Sequence, residues 1–303
     1  MSELNVRLCS QYGLEVLDVF TLGHVCEGSV LKVSTRQGQK AVLKSGADAR
    51  SIQEIRMNIE GYENMRSIGL AEFIPETYAS AVSDTEAYIL MEYCGEDVLT
   101  ATQKSEDPGS IYLRLKKELV RVYKESLCRL PETHGGYLLR ELFRRIHSTY
   151  NLHIVPVLGP SDEMASLLES LATILTSAEG HTFCFSNWDF TPDDVYLTDA
   201  GLKYSDPHSE VLGIPMVDLG CFAGVARDAY RLPGSEDGYR ILMELAMDTA
   251  PLLGLTKAEG KRYFYLGRVL QSFLSARFRL QNQPEKGIAL FNQGKEYLSK
   301  IIC

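Results

Sequence analysis

At 303 residues, with 45% hydrophobic and 23% charged residues, the chain is large enough for two lobes, each with its own core. Its formal net charge of −9 argues against nucleic acid as a partner, because phosphate backbones favour a basic face. No apolar run approaches the roughly 20 residues of a membrane span. The seven scattered cysteines, without a CxxC pair, suggest neither a zinc site nor a disulfide framework. We therefore expect a protein of the reducing cytoplasm with no membrane partner.

The first landmark is a turn with glycines, followed by two strand patterns. Gly23, Gly28 and Ser29 lie in Leu-Gly-His-Val-Cys-Glu-Gly-Ser, after which apolar residues alternate. A second apolar strand, over residues 39–44, ends at Lys44. A glycine turn within a β-hairpin suits contacts to phosphates, and a lysine at the end of the next strand suits their charge. A glycine pair alone is also common in ordinary hairpins.

The following elements alternate between helix and strand before the chain becomes mostly helical. Apolar residues recur at steps of three and four over residues 49–68, which predicts a helix with one buried face. The apolar run 87–94 predicts a buried strand that ends at Gly95. Residues 98–180 are predicted to be mostly helical, and 236–302 are helix-compatible almost throughout.

Three aspartates in the second half of the chain have the spacing of a phosphoryl-transfer site. Asp189 and Asp194 are five residues apart in Ser-Asn-Trp-Asp-Phe-Thr-Pro-Asp-Asp, and Asp206 follows twelve residues later in Tyr-Ser-Asp-Pro. Such a site has a base for the attacking hydroxyl, a metal ligand five residues on, and a second metal ligand after the next strand. Aspartates supply the hard oxygen ligands that Mg²⁺ needs. The alternative is three aspartates in polar turns.

The aspartate segment resembles the Brenner-type loop of the aminoglycoside phosphotransferase and choline kinase-like family. That loop usually reads His-Gly-Asp-x-x-x-x-Asn. This chain has Asn187 in place of the histidine, Trp188 in place of the small residue and Asp194 in place of the asparagine, which keeps an oxygen ligand. Eleven residues separate Asp206 from Asp218, a spacing that resembles small-molecule kinases and not protein kinases with their long activation segment.

The resemblance implies an α+β, two-lobed protein kinase-like fold with a small β-rich N-lobe and a larger, mostly helical C-lobe. We place the N-lobe, with a hinge at its end, at residues 1–95. The C-lobe, with the catalytic loop and the acceptor-substrate region, takes residues 96–303. Asp218 is expected to hydrogen-bond the backbone of the catalytic loop as a structural residue.

The resemblance also implies how a nucleotide binds. Glu60, with Glu63 as second choice, is expected to pair with Lys44 and hold it toward the phosphates, although a solvent-exposed helix carboxylate is the alternative for Glu60. The other expected nucleotide-binding residues are the glycine-turn residues and the hinge residues: Gly23, Gly28, Ser29, Glu92, Tyr93 and Cys94.

The implied function is an ATP- or GTP-dependent O-phosphotransferase, a kinase that phosphorylates a hydroxyl of a small molecule such as an aminoglycoside or a related metabolite. Asp189 is the expected catalytic base, and Asp194 and Asp206 are the expected Mg²⁺ ligands. The first alternative is a catalytically degenerate nucleotide-binding or scaffold protein with the same fold. The second is a protein kinase or nucleotidyl transferase on that fold. The acceptor and the oligomeric state are left open.

Overall fold

The computed structural model describes residues 1–20, 28–129, 132–176, 182–187, 190–209 and 211–302. The chain forms two compact units. Unit 1 comprises Met1–Asp97 and Asp194–Val211, and unit 2 comprises Val98–Asp193 and Leu212–Cys303. The sequence predicts a single boundary after residue 95, whereas the structure ends the first segment of unit 1 at Asp97 and adds Asp194–Val211 to the same unit.

The elements alternate between strands and helices in the first third of the chain and are mainly helical afterwards. In chain order they are α1 (Glu3–Tyr12), β1 (Glu15–Phe20), β2 (Ser29–Ser34), β3 (Lys40–Gly46), α2 (Ala49–Ser67), β4 (Thr77–Val82), β5 (Ala87–Glu92), α3 (Val98–Lys104), α4 (Pro108–Glu125), β6 (Cys128–Arg129), α5 (Glu132–Thr149), α6 (Val155–Leu158), α7 (Asp162–Thr176), β7 (Thr182–Phe185), β8 (Val195–Thr198), β9 (Gly201–Tyr204), β10 (Leu212–Gly213), α8 (Pro215–Gly224), α9 (Ser235–Thr249), α10 (Lys257–Asn282) and α11 (Pro284–Ile302).

Unit 1 is built on a five-stranded antiparallel sheet with the strand order β1-β2-β3-β5-β4. Side chains of α1, including Leu4 and Leu8, pack with Leu31 and Leu43 on one face of this sheet. Because side chains alternate between the two faces of a strand, Lys44 lies on the face opposite to Leu43. The sheet therefore turns Lys44 toward α2, which packs against β3, β4 and β5.

Helices dominate unit 2, and two of them cross at very short range. A Cβ atom at Gly267 of α10 would lie 1.9 Å from the carbonyl oxygen of Val217, and one at Gly220 of α8 would lie 2.0 Å from that of Phe264. The two glycines therefore let α8 and α10 approach backbone to backbone. A capping box of Thr256 and Glu259 begins α10. None of the helices in the described ranges is long and apolar enough to cross a bilayer.

A buried ion-pair cluster joins the end of α8 to α10 and α11. Arg227 and Asp228 lie in a π-helical turn, Val225–Ala229, and Asp228 accepts hydrogen bonds from Arg227 Nε at 3.0 Å and from Arg268. Tyr297 Oη accepts from Arg227 at 2.6 Å and from Arg268 at 3.3 Å. Arg268 is fully buried, and within the described residues its Nε and Nη1 have no hydrogen-bond partner. Asp228 thus pairs with both arginines, and Arg227 also lies 3.8 Å from the exposed carboxylate of Glu236.

We predict that Asp228→Asn lowers the free energy of unfolding by about 3 kcal/mol, because it leaves the buried Arg268 guanidinium without its counter-charge. Urea denaturation monitored by circular dichroism measures the change. The matched control is Asp237→Asn, which removes an exposed ion pair with Arg240 and should change stability by at most about 0.5 kcal/mol. Equal losses for the two variants would contradict the assignment.

Candidate active site

Lys44 lies in the centre of the unit 1 sheet and is held by three side chains. Its Nζ donates to Asp206 Oδ1 at 2.8 Å and to Asn58 Oδ1 at 2.8 Å, and it lies 2.9 Å from Glu54 Oε1. The lysine side chain is only 12% exposed. A buried ammonium group is stable only when its charge is paired, and here two carboxylates pair with it.

Helix α2 supplies Glu54, Asn58 and Tyr62 at steps of four residues, so the three lie along one side of the helix. Asp48 starts the helix by accepting hydrogen bonds from the N–H groups of Arg50 and Ser51, both at 3.0 Å. This N-cap fixes where the helix begins.

The helix carboxylate that pairs with Lys44 is Glu54, which corrects the expectation for Glu60 and Glu63. Both of these side chains are exposed. At 100° per residue, Glu60 lies about 120° around the helix axis from Glu54, and Glu63 lies on the opposite side. The position of the helix relative to the strand therefore selects the earlier glutamate.

The hairpin of β8 and β9 brings the two aspartates of the predicted metal site to its open end. Val195 pairs with Tyr204, and the Ser205 N–H donates to the Asp194 carbonyl oxygen at 2.9 Å. Asp194 thus lies opposite Ser205, and Asp206 is the next residue along the chain. Asp206 has a φ of 63°, in the left-handed region that few non-glycine residues adopt. Aspartate adopts this region more readily than most residues do, and such conformations cluster at functional sites.

Lys44 and Asp206 each stabilise the charged form of the other, and the pKa of each shifts accordingly. Burial lowers the pKa of Lys44, but Asp206 and Glu54 outweigh it, so the pKa lies above its ordinary value. Removal from water raises the pKa of Asp206, but the charge and hydrogen bond of Lys44 outweigh this, so the pKa lies below its ordinary value. Lys44 is therefore a cation and Asp206 an anion at neutral pH.

Of the expected hinge residues, Glu92 is the last residue of β5, and Tyr93 and Cys94 follow it. The Glu92 N–H donates to the Glu76 carbonyl oxygen at 2.8 Å, so this N–H group already has a hydrogen-bond partner within unit 1. Lys32 Nζ lies 4.1 Å from the ring centroid of Tyr93. Burial raises the pKa of Cys94 to about 12, so this thiol is neutral and a poor nucleophile at physiological pH.

Part of the glycine turn lies outside the described residues. Gly23 is among residues 21–27, which lie outside the described residues. A Cβ atom at Gly28 would lie 3.1 Å from both the carbonyl oxygen of Ser45 and the hydroxyl of Ser51, so little space is left there. The Ser29 hydroxyl accepts from Asn5 Nδ2 at 2.7 Å and lies 3.1 Å from the Ser45 hydroxyl. The Ser29 side chain is thus engaged with α1 and β3.

In unit 2, the segment before Asp189 is anchored by a buried carboxylate. Asp189 itself lies outside the described residues, with Trp188. The Asn187 N–H donates to Asp218 Oδ2 at 2.6 Å, and Asp218 is 1% exposed in the first turn of α8. The prediction that Asp218 hydrogen-bonds the backbone of this loop is confirmed.

The two hairpin aspartates fit a magnesium ion by their chemistry. Mg²⁺ is commonly bound in proteins by one or two carboxylates together with substrate phosphates. Asp206 is 42% exposed, so its carboxylate can reach a ligand while it contacts Lys44. Among the described residues there is no group of three or more His, Cys, Asp or Glu side chains placed to hold a metal alone. Asp194 and Asp206 are thus suited to an ion that arrives with phosphates.

Comparison with solved structures identifies the fold. An ADP-bound aminoglycoside phosphotransferase, APH(2'')-Ib, matches with a TM-score of 0.60 at 14% identity, over 98% of this chain and 99% of that one. The gentamicin complex of APH(2'')-IIa gives 0.56 at 14% identity, over 99% and 96%. Choline kinase from Cryptosporidium parvum gives 0.50 at 10% identity, over 99% and 96%.

The chain has the kinase-like fold of these small-molecule kinases. The expected α+β class is confirmed, with the five-stranded sheet in unit 1 and a mostly helical unit 2. No family model and no curated protein sequence matches the chain. At 10–14% identity the likeness is one of fold.

Proposed function

We propose that the protein is an ATP- or GTP-dependent O-phosphotransferase that acts on a hydroxyl of a small molecule. The observation that carries the proposal is the contact of Lys44 with Glu54 on a helix and with Asp206 at the end of a hairpin. A sheet lysine, its helix carboxylate and a metal-binding aspartate are the parts that position nucleotide phosphates in kinases. The ADP-bound neighbour of the same fold supports a nucleotide ligand.

Each residue has a defined task in this proposal. Lys44 neutralises nucleotide phosphates, and Glu54 holds the lysine in place. Asp194 and Asp206 would hold Mg²⁺, which when bound supplies positive charge to the phosphate oxygens. Asp189 orients the acceptor hydroxyl and accepts its proton. Asp218 fixes the loop backbone two residues before that base.

We propose a cationic amino alcohol or aminosugar as the acceptor. The named ligand of one neighbour is gentamicin, and another neighbour is a choline kinase. The net charge of −9 on this chain favours association with a cation over association with an anion.

A second candidate function is nucleotide binding without phosphoryl transfer. Asn187 and Trp188 depart from the family loop directly before Asp189. Under this alternative, Mg²⁺ and nucleotide still bind to the residues around Lys44, but no hydroxyl acceptor is phosphorylated.

The first test is thermal denaturation with ATP or GTP, each with and without Mg²⁺. We expect a rise in melting temperature that saturates with nucleotide and is larger with Mg²⁺, since a ligand at 100 times its Kd adds about 2.7 kcal/mol. Lys44→Met should remove most of the rise. Lys40→Met, on the exposed start of the same strand, should keep it. The absence of stabilisation by either nucleotide would overturn the proposal.

An acceptor screen then separates the two candidate functions. Aminoglycosides, amino alcohols, sugars and nucleosides are incubated with protein, the stabilising nucleotide and Mg²⁺. A mass increase of about 80 Da on one class identifies phosphoryl transfer, whereas a nucleotide monophosphate adduct identifies nucleotidyl transfer. Nucleotide binding without any product would favour the second candidate.

A further inference from the structure

A buried amide on α2 joins the lysine to the backbone beside Asp206. Asn58 is 4% exposed. Its Oδ1 accepts from Lys44 Nζ at 2.8 Å, and its Nδ2 donates to the Pro207 carbonyl oxygen at 3.2 Å. One partner is a donor and the other an acceptor, so only one orientation of the amide satisfies both. No aspartate, leucine or alanine can make both contacts.

Residues on the same side of α2 also contact the turn that follows Asp206. A Cβ atom at Gly61 would lie 2.5 Å from the His208 carbonyl oxygen, and Asn64 Nδ2 donates to the Ser209 carbonyl oxygen at 2.6 Å. Positions 58, 61 and 64 of α2 therefore approach successive parts of residues 207–209. Asn58 differs from the other two because it also contacts Lys44.

The neutrality of Asn58 has an electrostatic consequence. Lys44 already faces two carboxylates, Glu54 and Asp206. A neutral acceptor holds the ammonium group in place without cancelling more of its charge. The lysine thus keeps a defined position and the capacity to attract a phosphate.

We infer that Asn58 is a positioning residue that fixes the Lys44 ammonium group relative to Asp206 and thereby sets the affinity for nucleotide phosphates. This inference rests on the proposed function for its consequence, but the hold of Asn58 on Lys44 is a property of the protein alone. Tyr62 completes the arrangement, since its hydroxyl accepts from the Asp206 N–H at 3.4 Å.

The first experiment measures the reactivity of Lys44 in the full-length protein without nucleotide. Competitive acetylation with acetic anhydride is followed by peptide mass spectrometry, with the exposed Lys40 as internal reference. Asn58→Leu, which is close in size, should raise Lys44 acetylation about fivefold or more, because one of its three partners is lost. Asn58→Asp keeps the oxygen acceptor and adds a third negative charge beside the ammonium group, so it should give no more acetylation than the wild type. Asn64→Ala is the matched control. It removes the hydrogen bond to the Ser209 carbonyl oxygen, which does not involve the lysine, and should leave Lys44 acetylation unchanged.

The second experiment compares ADP with adenosine, and GDP with guanosine, by calorimetry in the presence of Mg²⁺. Asn58→Leu should lower diphosphate affinity on the order of tenfold, the effect of losing one charge-assisted hydrogen bond, and leave nucleoside affinity unchanged. A purely structural role would weaken both ligands alike. Asn58→Ala serves in place of Asn58→Leu if the leucine variant does not fold.

Unchanged Lys44 acetylation together with an unchanged diphosphate-to-nucleoside ratio would overturn the inference. If the wild-type protein binds neither ADP nor GDP, the proposed function fails. The acetylation result then decides by itself whether Asn58 holds Lys44.

Discussion

Asp206→Asn is expected to abolish the Mg²⁺-dependent part of nucleotide binding and to lower turnover by at least about a thousandfold. The substitution removes one of the two proposed metal carboxylates and one of the two counter-charges of Lys44. Asparagine is the informative replacement because it tolerates the left-handed φ of 63°, whereas alanine would add strain.

The folded state should survive the Asp206→Asn substitution. Glu54 and Asn58 still hold Lys44, so the loss of stability should be about 1–2 kcal/mol, given that Asp206 is 42% exposed. Calorimetric titration of nucleotide with and without Mg²⁺ measures the binding effect. If the variant still binds nucleotide more tightly with Mg²⁺ than without it, Asp206 is not a ligand of the metal ion. Asp199→Asn, at the exposed tip of the same hairpin, is the control.

The ion pair of Lys44 and Asp206 also has a defined pH range. Asp206 has a folded pKa below its ordinary value of 3.8, so its contribution is present above that pH and is lost as pH falls through the folded pKa. Lys44 has a folded pKa above 10.5, so its contribution is complete below that pH and is lost as pH rises through the folded pKa. The pair therefore stabilises unit 1 between about pH 4 and pH 10.

Asp189→Ala is expected to lower turnover by two to four orders of magnitude, roughly the contribution of a positioned general base, and to leave nucleotide affinity nearly intact. Asp189 is proposed to contact the acceptor hydroxyl and not the nucleotide. The anchoring of the Asn187 backbone by Asp218 should keep the rest of the loop in place in this variant.

The assay for Asp189→Ala follows the transfer reaction once an acceptor is found, and nucleotide hydrolysis before then. Asp193→Ala is a matched control because it removes an exposed carboxylate four residues later in the same loop. Equal turnover in wild type and Asp189→Ala would assign the base to another residue. Loss of nucleotide binding in Asp189→Ala would show that the side chain acts on the nucleotide or on the fold.

Local patterns in the sequence were enough to predict β3 with Lys44 near its end, the helix α2 after it and the buried strand β5, and all three are confirmed. Each follows from a hydrophobic period that is complete within one segment. The aspartate spacing predicted roles for Asp189, Asp194 and Asp206, and these roles stay predictions. That a hairpin lies between Asp194 and Asp206 is a finding of the structure.

Relations between segments were harder to predict. The sequence shows that Glu54, Glu60 and Glu63 share a helix, but the rotation of α2 against β3 selects Glu54, and that rotation depends on packing. The signal for Asn58 was present, since a polar residue interrupts the buried face between Ile55 and Tyr62. An asparagine in that position needs two partners, and those partners, at Lys44 and Pro207, come from distant segments.

Unit 1 is built from two separate segments of the chain, and this affects when it can form during protein synthesis. The 96 residues between Asp97 and Asp194 are made before the hairpin, which takes roughly 5 to 20 seconds at about 5–20 residues per second. During this interval Lys44 lacks Asp206, and the Ile74 carbonyl oxygen lacks its hydrogen bond from Lys203. Unit 1 is thus completed on the ribosome only after helices α3 to α7 of unit 2 have been made.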